Sequence, residues 1–241
     1  TPTRREYVKY GGAVIGGGLL AGCTGGSGAG TSPTETDTPT DTAESTATED
    51  SSYTVTMEPV GEVTFEFVPE GWIAYDGGYA DMAVALGQAD GLAGIGHAPR
   101  YYTYVYDELP GVEVGRDVVE AYPEVRTKEE FYELDADVHF YDPNMLINWF
   151  DWDEADVEEI ADNVAPFIGN LIFRRSDEWH DYRYYTLYEA FEKVADVFRE
   201  RDRYEALKGF HDKFIADVQS RLPPEDERPT VFLTYEGTTE P

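Results

Sequence analysis

The stretch Trp72–Gly96, WIAYDGGYADMAVALGQADGLAGIG, carries the pattern that decides the fold class. Trp72-Ile73-Ala74-Tyr75 is a short apolar and aromatic run with the composition of a strand, and Asp76-Gly77-Gly78 ends it. Tyr79–Leu86 then sets Met82 and Leu86 at helical spacing, and Gly87 closes that segment. Leu92–Ile95 is again strand-like. A strand, a helix and a strand joined by turns this short predict parallel pairing with a helical crossover, and so an α/β sheet. In such sheets ligands meet the loops at the carboxyl ends of the strands.

The same grammar continues on both sides. Upstream, Val63, Phe65 and Phe67 alternate with Thr64, Glu66 and Val68, predicting a strand or hairpin arm over Val63–Val68. Downstream, Gly96–Tyr101 reads as a loop and Thr127–Leu134 as a helix with Phe131 and Leu134 inward. Ala136–Tyr141 reads as a strand that breaks into Asp142-Pro143-Asn144. Asp151–Asp156 lacks the glycine and closing glutamate of a calcium loop and reads as an acidic helix start. In Tyr182–Leu222, Leu187, Phe191, Val194 and Phe198 form one helical stripe, and Leu207, Phe210, Phe214, Val218 and Leu222 form another. Asp202 and Glu205 have the spacing of a capping box for the second helix, which Pro223-Pro224 stops. About twenty residues at ~1.5 Å each make a rod of roughly 30 Å, long enough for a spine joining two lobes. Pro229–Tyr235, PTVFLTY, opens what reads as a new strand.

A chain of 241 residues holds one good domain, or one lobe with accessories. Its net charge of −31, spread along the whole length, excludes a nucleic-acid partner, because phosphate would be repelled. Such a surface reads as salt-adapted: at molar salt the screening length falls to about 3 Å and crowded carboxylates cease to repel one another.

At the N-terminus, Thr3–Lys9 contains the pair Arg4-Arg5, followed by the mildly apolar Gly11–Gly22 and then Leu20-Ala21-Gly22-Cys23. The apolar part is too short and glycine-rich to span a bilayer of ~30 Å. The run resembles a twin-arginine export signal joined to a lipobox, which implies a lipid on Cys23 and a protein anchored to the outer face of the cell membrane. Cys23 is the single cysteine, so no intrachain disulfide is possible. Thr24–Thr54 is rich in Thr, Ser, Gly, Asp and Glu and reads as a solvated tether. The expected organisation is a signal over 1–23, a tether over 24–54, an α/β lobe over 55–181, a helical spine over 182–222 and the start of a second lobe over 223–241.

Ile73–Gly96, Thr127–Tyr141 and the helical run leading into PTVFLTY follow one order. That order resembles the periplasmic-binding-protein family of ABC importers for ferric siderophores, cobalamin and haem. The resemblance implies two α/β lobes joined by a rigid helix, with the ligand held between them. It further implies a ferric siderophore or related metal chelate as cargo and an ABC permease as partner. By the same resemblance the chain carries the first lobe, the spine and only the opening strand of the second lobe. Members carry an Asn-Leu-Glu run whose glutamate pairs with a permease arginine. Here the run is Thr127-Lys128-Glu129, so only Glu129 matches, and a first-turn acid is also favoured by the helix dipole alone.

Three loops are expected to reach the cleft: Tyr75–Tyr79, His97–Tyr101 and Tyr141–Asn144. Arg100 offers a planar fork of donors for anionic oxygens, or pairs with one of the many acids as a surface residue. Tyr75, Tyr79, Tyr101 and Tyr141 stack on a flat ligand or serve the core. His97 and Asn144 complete the candidate ligand-binding set. His97, His139, His180 and His211 lack metal-ligand spacing, no Gly-x-Ser-x-Gly elbow occurs, and Gly94-Ile95-Gly96 lacks the third glycine of a dinucleotide loop. The expectation is therefore a binding protein with no catalytic set and no cofactor. A lipid-anchored hydrolase and a purely structural envelope lipoprotein are the rival classes, and cobalamin or haem the rival ligands.

Overall fold

The computed structural model describes residues 52–232, so the twin-arginine run, Cys23, the tether as far as residue 51 and the last three residues of Pro229–Tyr235 lie outside the described residues. Among the described residues no helix is long and apolar enough to cross a membrane. The described part opens with an antiparallel hairpin, β1 (Tyr53–Met57) on β2 (Gly61–Phe65), with Val55 opposite Val63. Val55, Met57, Val63 and Phe65 face the core. β1 begins inside the stretch expected to be tether. Tyr53 stacks on Phe65 with ring centroids 5.4 Å apart and its hydroxyl donates to the Val197 carbonyl, packing that a Thr- and Ser-rich composition conceals. The arm expected over Val63–Val68 stops at Phe65, where its partner strand runs out; Phe67 and Val68 are exposed.

A parallel three-stranded sheet follows, in the order β4 (Leu92–Ile95), β3 (Trp72–Ala74), β5 (Val138–Phe140). Alternation sends Trp72, Ala74, Val138 and Phe140 to one face and Ile73, Tyr75 and Tyr141 to the other. The first face is covered by α1 (Gly77–Ala85) and, further along, α6 (Leu187–Phe198), with Phe198 5.6 Å from Phe140. Across the other face lie α3 (Lys128–Leu134), α4 (Pro143–Trp149) and α5 (Glu154–Asn163). Between β4 and α3 sits the short α2 (Arg116–Ala121). Helices on both faces of a parallel sheet make this an α/β fold.

Local caps explain where the helices start. Asp76 accepts from the Gly78 N–H, Asp153 and Asp156 form a reciprocal box at α5, and Thr186 and Glu189 form another at α6. α7 (Arg201–Ser220) begins after Glu200 with no side-chain cap, so the box expected at Asp202 and Glu205 does not form. The reason lies one residue earlier: Arg199 adopts a left-handed conformation that ends α6 and reverses the chain. Consequently Tyr188 lies against His211 at 4.2 Å and Phe191 against Tyr204 at 5.3 Å. The run expected as one spine over 182–222 is thus a two-helix hairpin, α7 folded back on α6, and not a single rod. The α7 stripe of Phe210, Phe214 and Val218 is exposed, as are Leu222 just beyond its end and Leu187 at the start of α6. Pro229–Phe232 forms no strand.

Candidate ligand site at the carboxyl edge of the sheet

The three parallel strands end together. β3 runs into Tyr75-Asp76, β4 into Gly96-His97, and β5 into Tyr141-Asp142. Two glycines let these ends converge. A Cβ on Gly77 would lie 2.5 Å from the Arg100 carbonyl oxygen, and one on Gly96 would lie 2.3 Å from the Tyr141 hydroxyl. Glycine is therefore required for the Arg100 loop to press against the start of α1.

Tyr75 occupies the centre. Its ring is nearly parallel to His97, with centroids 6.1 Å apart, and nearly parallel to Phe173, also at 6.1 Å. Tyr141 meets it edge-on at 5.7 Å and Phe150 lies 6.1 Å away. Two guanidinium groups flank this cluster. Arg100 stands 4.8 Å over the Phe173 ring, and Arg126 stands 4.9 Å over Phe150. Arg126 also donates from Nε to the Gly96 carbonyl at 2.9 Å and from Nη2 to His97 Nδ1 at 3.0 Å, and lies 3.2 Å from the Glu124 carboxylate. Arg100 makes no ion pair among the described residues, although carboxylates abound. Beside it opens a cavity of about 390 Å³ lined by Asp76, Arg100, Tyr102, Ile172, Phe173 and Leu187.

Burial pushes the Asp76 carboxyl above its ordinary range, against the pull of the Gly78 N–H and the Arg100 charge. It also raises the Tyr75 phenol, an effect that Arg126 opposes. His97 is pushed down by burial first and then by the charges of Arg126 and Arg100. Deeper, Asp142 is pushed up to about 6 by burial. This rise occurs although Asp142 accepts from the Tyr182 hydroxyl at 2.6 Å and from the Leu171 and Asn144 backbone N–H groups.

Tyr75, His97 and Arg100 are therefore brought together, as their loops predict. The other candidates have different duties. Tyr79 is buried, with its hydroxyl donating to the Asn170 carbonyl at 2.9 Å and accepting from the Asn170 N–H at 2.8 Å. Tyr141 is wholly buried and donates to the Val125 carbonyl at 2.7 Å, continuing the strand's alternation one residue past β5. Tyr101 is buried against Tyr106. The rings of all three are buried in the core. Asn144 is half-buried in the first turn of α4, below the aromatic cluster, where its backbone satisfies Asp142. Glu129 is exposed in the first turn of α3.

Sequence reasoning missed Arg126, Phe150 and Phe173. The run Phe173-Arg174-Arg175 carried a legible signal, an aromatic next to two of the scarce cations in a strongly acidic chain. Arg126, next to the Thr127 cap of α3, carried none beyond that scarcity. Among the described residues, no group of three or more His, Cys, Asp or Glu side chains is arranged to hold a metal ion. What the arrangement offers is aromatic surface and one guanidinium, that of Arg100, on the wall of the cavity, while Arg126 behind it is engaged by the Gly96 carbonyl, His97 and Glu124.

No protein-family model and no curated protein matches the chain. Solved structures do. The iron uptake ABC transporter substrate-binding protein PiuA from Streptococcus pneumoniae is 20% identical with a TM-score of 0.47, over 71% of this chain and 54% of that one. The petrobactin-binding protein YclQ from Bacillus subtilis is 17% identical with a TM-score of 0.46, over 70% and 53% respectively. A periplasmic binding protein from Veillonella parvula is 13% identical with a TM-score of 0.48, over 71% and 54%. The chain spans about half the length of these solved structures, to which its α/β architecture is similar.

Proposed function

We propose that this chain is the ligand-capturing part of an extracytoplasmic solute-binding lipoprotein that serves an ABC importer, with an anionic metal chelate of the ferric-siderophore type as cargo. The observation that carries the reading is the meeting of Tyr75, His97 and Arg100 with Arg126 and Phe173 at the carboxyl ends of three parallel strands. In a chain of net charge −31, the Arg100 guanidinium on the wall of this cavity, which makes no ion pair among the described residues, is a charged donor that an anion would seek. Capture and release need no chemistry, so the protein is not an enzyme on this reading; its work is a shift of population between open and closed states. Cys23 carries the lipid and residues 24–51 the reach from the membrane. Glu129, exposed at the start of α3, is the residue offered to a permease arginine.

The exposed stripe of α7 supports a second half to the cleft. Phe210, Phe214 and Val218 along one helix, with Leu222 just past its end, form an apolar face of the kind that packs against another element. On this reading α7 is the strut between two lobes and the stripe is where the second lobe rests.

The test is tryptophan fluorescence of the full-length protein at high salt, titrated with ferric catecholate, ferric hydroxamate and ferric citrate chelates, cobalamin and haem. A saturable response to a ferric chelate is expected. A response to cobalamin or haem alone would move the cargo within the class, and no response to any of them would overturn the reading.

A further inference from the structure

The pairing of Arg126 with His97 constrains where the imidazole keeps its proton. Arginine carries only donors, so a contact of 3.0 Å between its Nη2 and His97 Nδ1 requires a lone pair on Nδ1. The guanidinium cannot swing away freely, because its Nε is tied to the Gly96 carbonyl at 2.9 Å and its face rests on Phe150. The imidazole is fixed in turn by stacking on Tyr75. With Nδ1 accepting, a neutral ring carries its proton on Nε2, and Nε2 makes no hydrogen bond to the described protein. The charged and titratable groups facing His97 are Arg126 and Arg100, which oppose a positive charge on it, Glu124, which favours one, and the phenol of Tyr75.

We infer that Arg126 is a positioning residue that holds His97 as a neutral Nε2–H donor, so that this corner of the site meets an anionic oxygen by donation and does not ligate a metal ion. The oxygen belongs to the chelate on the functional reading above, whereas the tautomer does not depend on that reading. The consequence is recognition from outside the metal's coordination shell. At this residue the metal itself is not met, because binding a metal through Nε2 would require the proton to leave an atom whose partner nitrogen is engaged by an arginine.

The experiment is long-range ¹H–¹⁵N correlation NMR of the uniformly ¹⁵N-labelled full chain at high salt, with the His97 signals assigned by their loss in His97→Gln. The expected spectrum at neutral pH shows the Nε2–H tautomer. In Arg126→Met the tautomers mix and the His97 titration midpoint rises, and Arg126→Lys restores the original pattern in part. Titration with Ni²⁺ alone broadens His211 before His97. An Nδ1–H tautomer in the unsubstituted protein, a titration unmoved by Arg126→Met, or selective broadening of His97 by Ni²⁺ would each overturn the inference. Should Arg126→Met fail to fold, the unsubstituted protein's spectrum and its Ni²⁺ titration decide alone. Failure of every chelate to quench tryptophan fluorescence would sink the functional reading and leave these signals as they are.

Discussion

Two side chains carry predictions of their own. Arg100 makes no ion pair among the described residues and faces the cavity with its donors uncommitted. If it bonds a ligand oxygen, Arg100→Ala removes a charged hydrogen bond and weakens chelate binding by about 1–3 kcal/mol, roughly 5- to 150-fold, without altering the fold. Calorimetric titration of the two proteins with the same ferric chelate checks this, and equal affinities would remove Arg100 from the site. Asp142 makes the opposite kind of claim, about stability. Its folded-state pKa of about 6 stands above the ordinary 3.8, so the folded protein holds the proton more tightly than the unfolded chain. The stability it lends is present below the unfolded pKa and is lost as pH rises through about 6. Two units correspond to about 3 kcal/mol. Between pH 4 and pH 7 the unsubstituted protein should therefore lose about that much relative to Asp142→Asn, measured by urea unfolding at fixed high salt. Parallel profiles would show that the Asp142 carboxylate is not held in this way. The remaining acids cancel in the comparison, since both proteins carry them.

The elements show what a pattern in sequence can and cannot tell. β3, β4, α1 and α3 were legible because each has a local signature: an apolar run, an Asp-Gly-Gly stop, or a pair of apolar residues at helical spacing. β1 was overlooked although Tyr53–Met57 alternates apolar Tyr53, Val55 and Met57 with Thr54 and Thr56, because its first two residues continue the Thr- and Ser-rich run before it. The break at Arg199 was equally silent, as arginine is not a residue that marks left-handed backbone. The site was half legible. Strand ends pointed to Tyr75, His97 and Arg100, but Phe173 and Arg126 arrive from loops whose path depends on the tertiary fold. The same periodicity also assigned equal weight to two stripes that the structure treats differently. Phe191 in α6 is buried, so Phe191→Ala should cost about 3–5 kcal/mol. Phe210 in α7 is exposed, so Phe210→Ser in this chain should change stability by less than about 0.5 kcal/mol. Thr186→Ala, which removes a reciprocal cap, should cost about 1 kcal/mol. Chemical denaturation of the three variants orders them, and a large loss from Phe210→Ser would mean that α7 is covered within this chain.

At the scale of the molecule, acidic residues far outnumber basic ones along the whole chain. The net charge of −31 opposes the compact state wherever it is not screened. Near-UV circular dichroism should hold at molar salt and collapse on dialysis to low salt; an unchanged spectrum would refute the salt-adapted reading. On the reading proposed above, an anion meets Arg100 at the converging ends of β3, β4 and β5, beside Tyr75, His97 and Phe173. The most direct test is calorimetric titration of the full-length protein with a ferric chelate at molar salt, alongside Arg100→Ala. Saturable binding that the substitution weakens, with the fold retained, is the expected result. Absence of heat with every ferric chelate, or binding untouched by loss of the guanidinium, would contradict it.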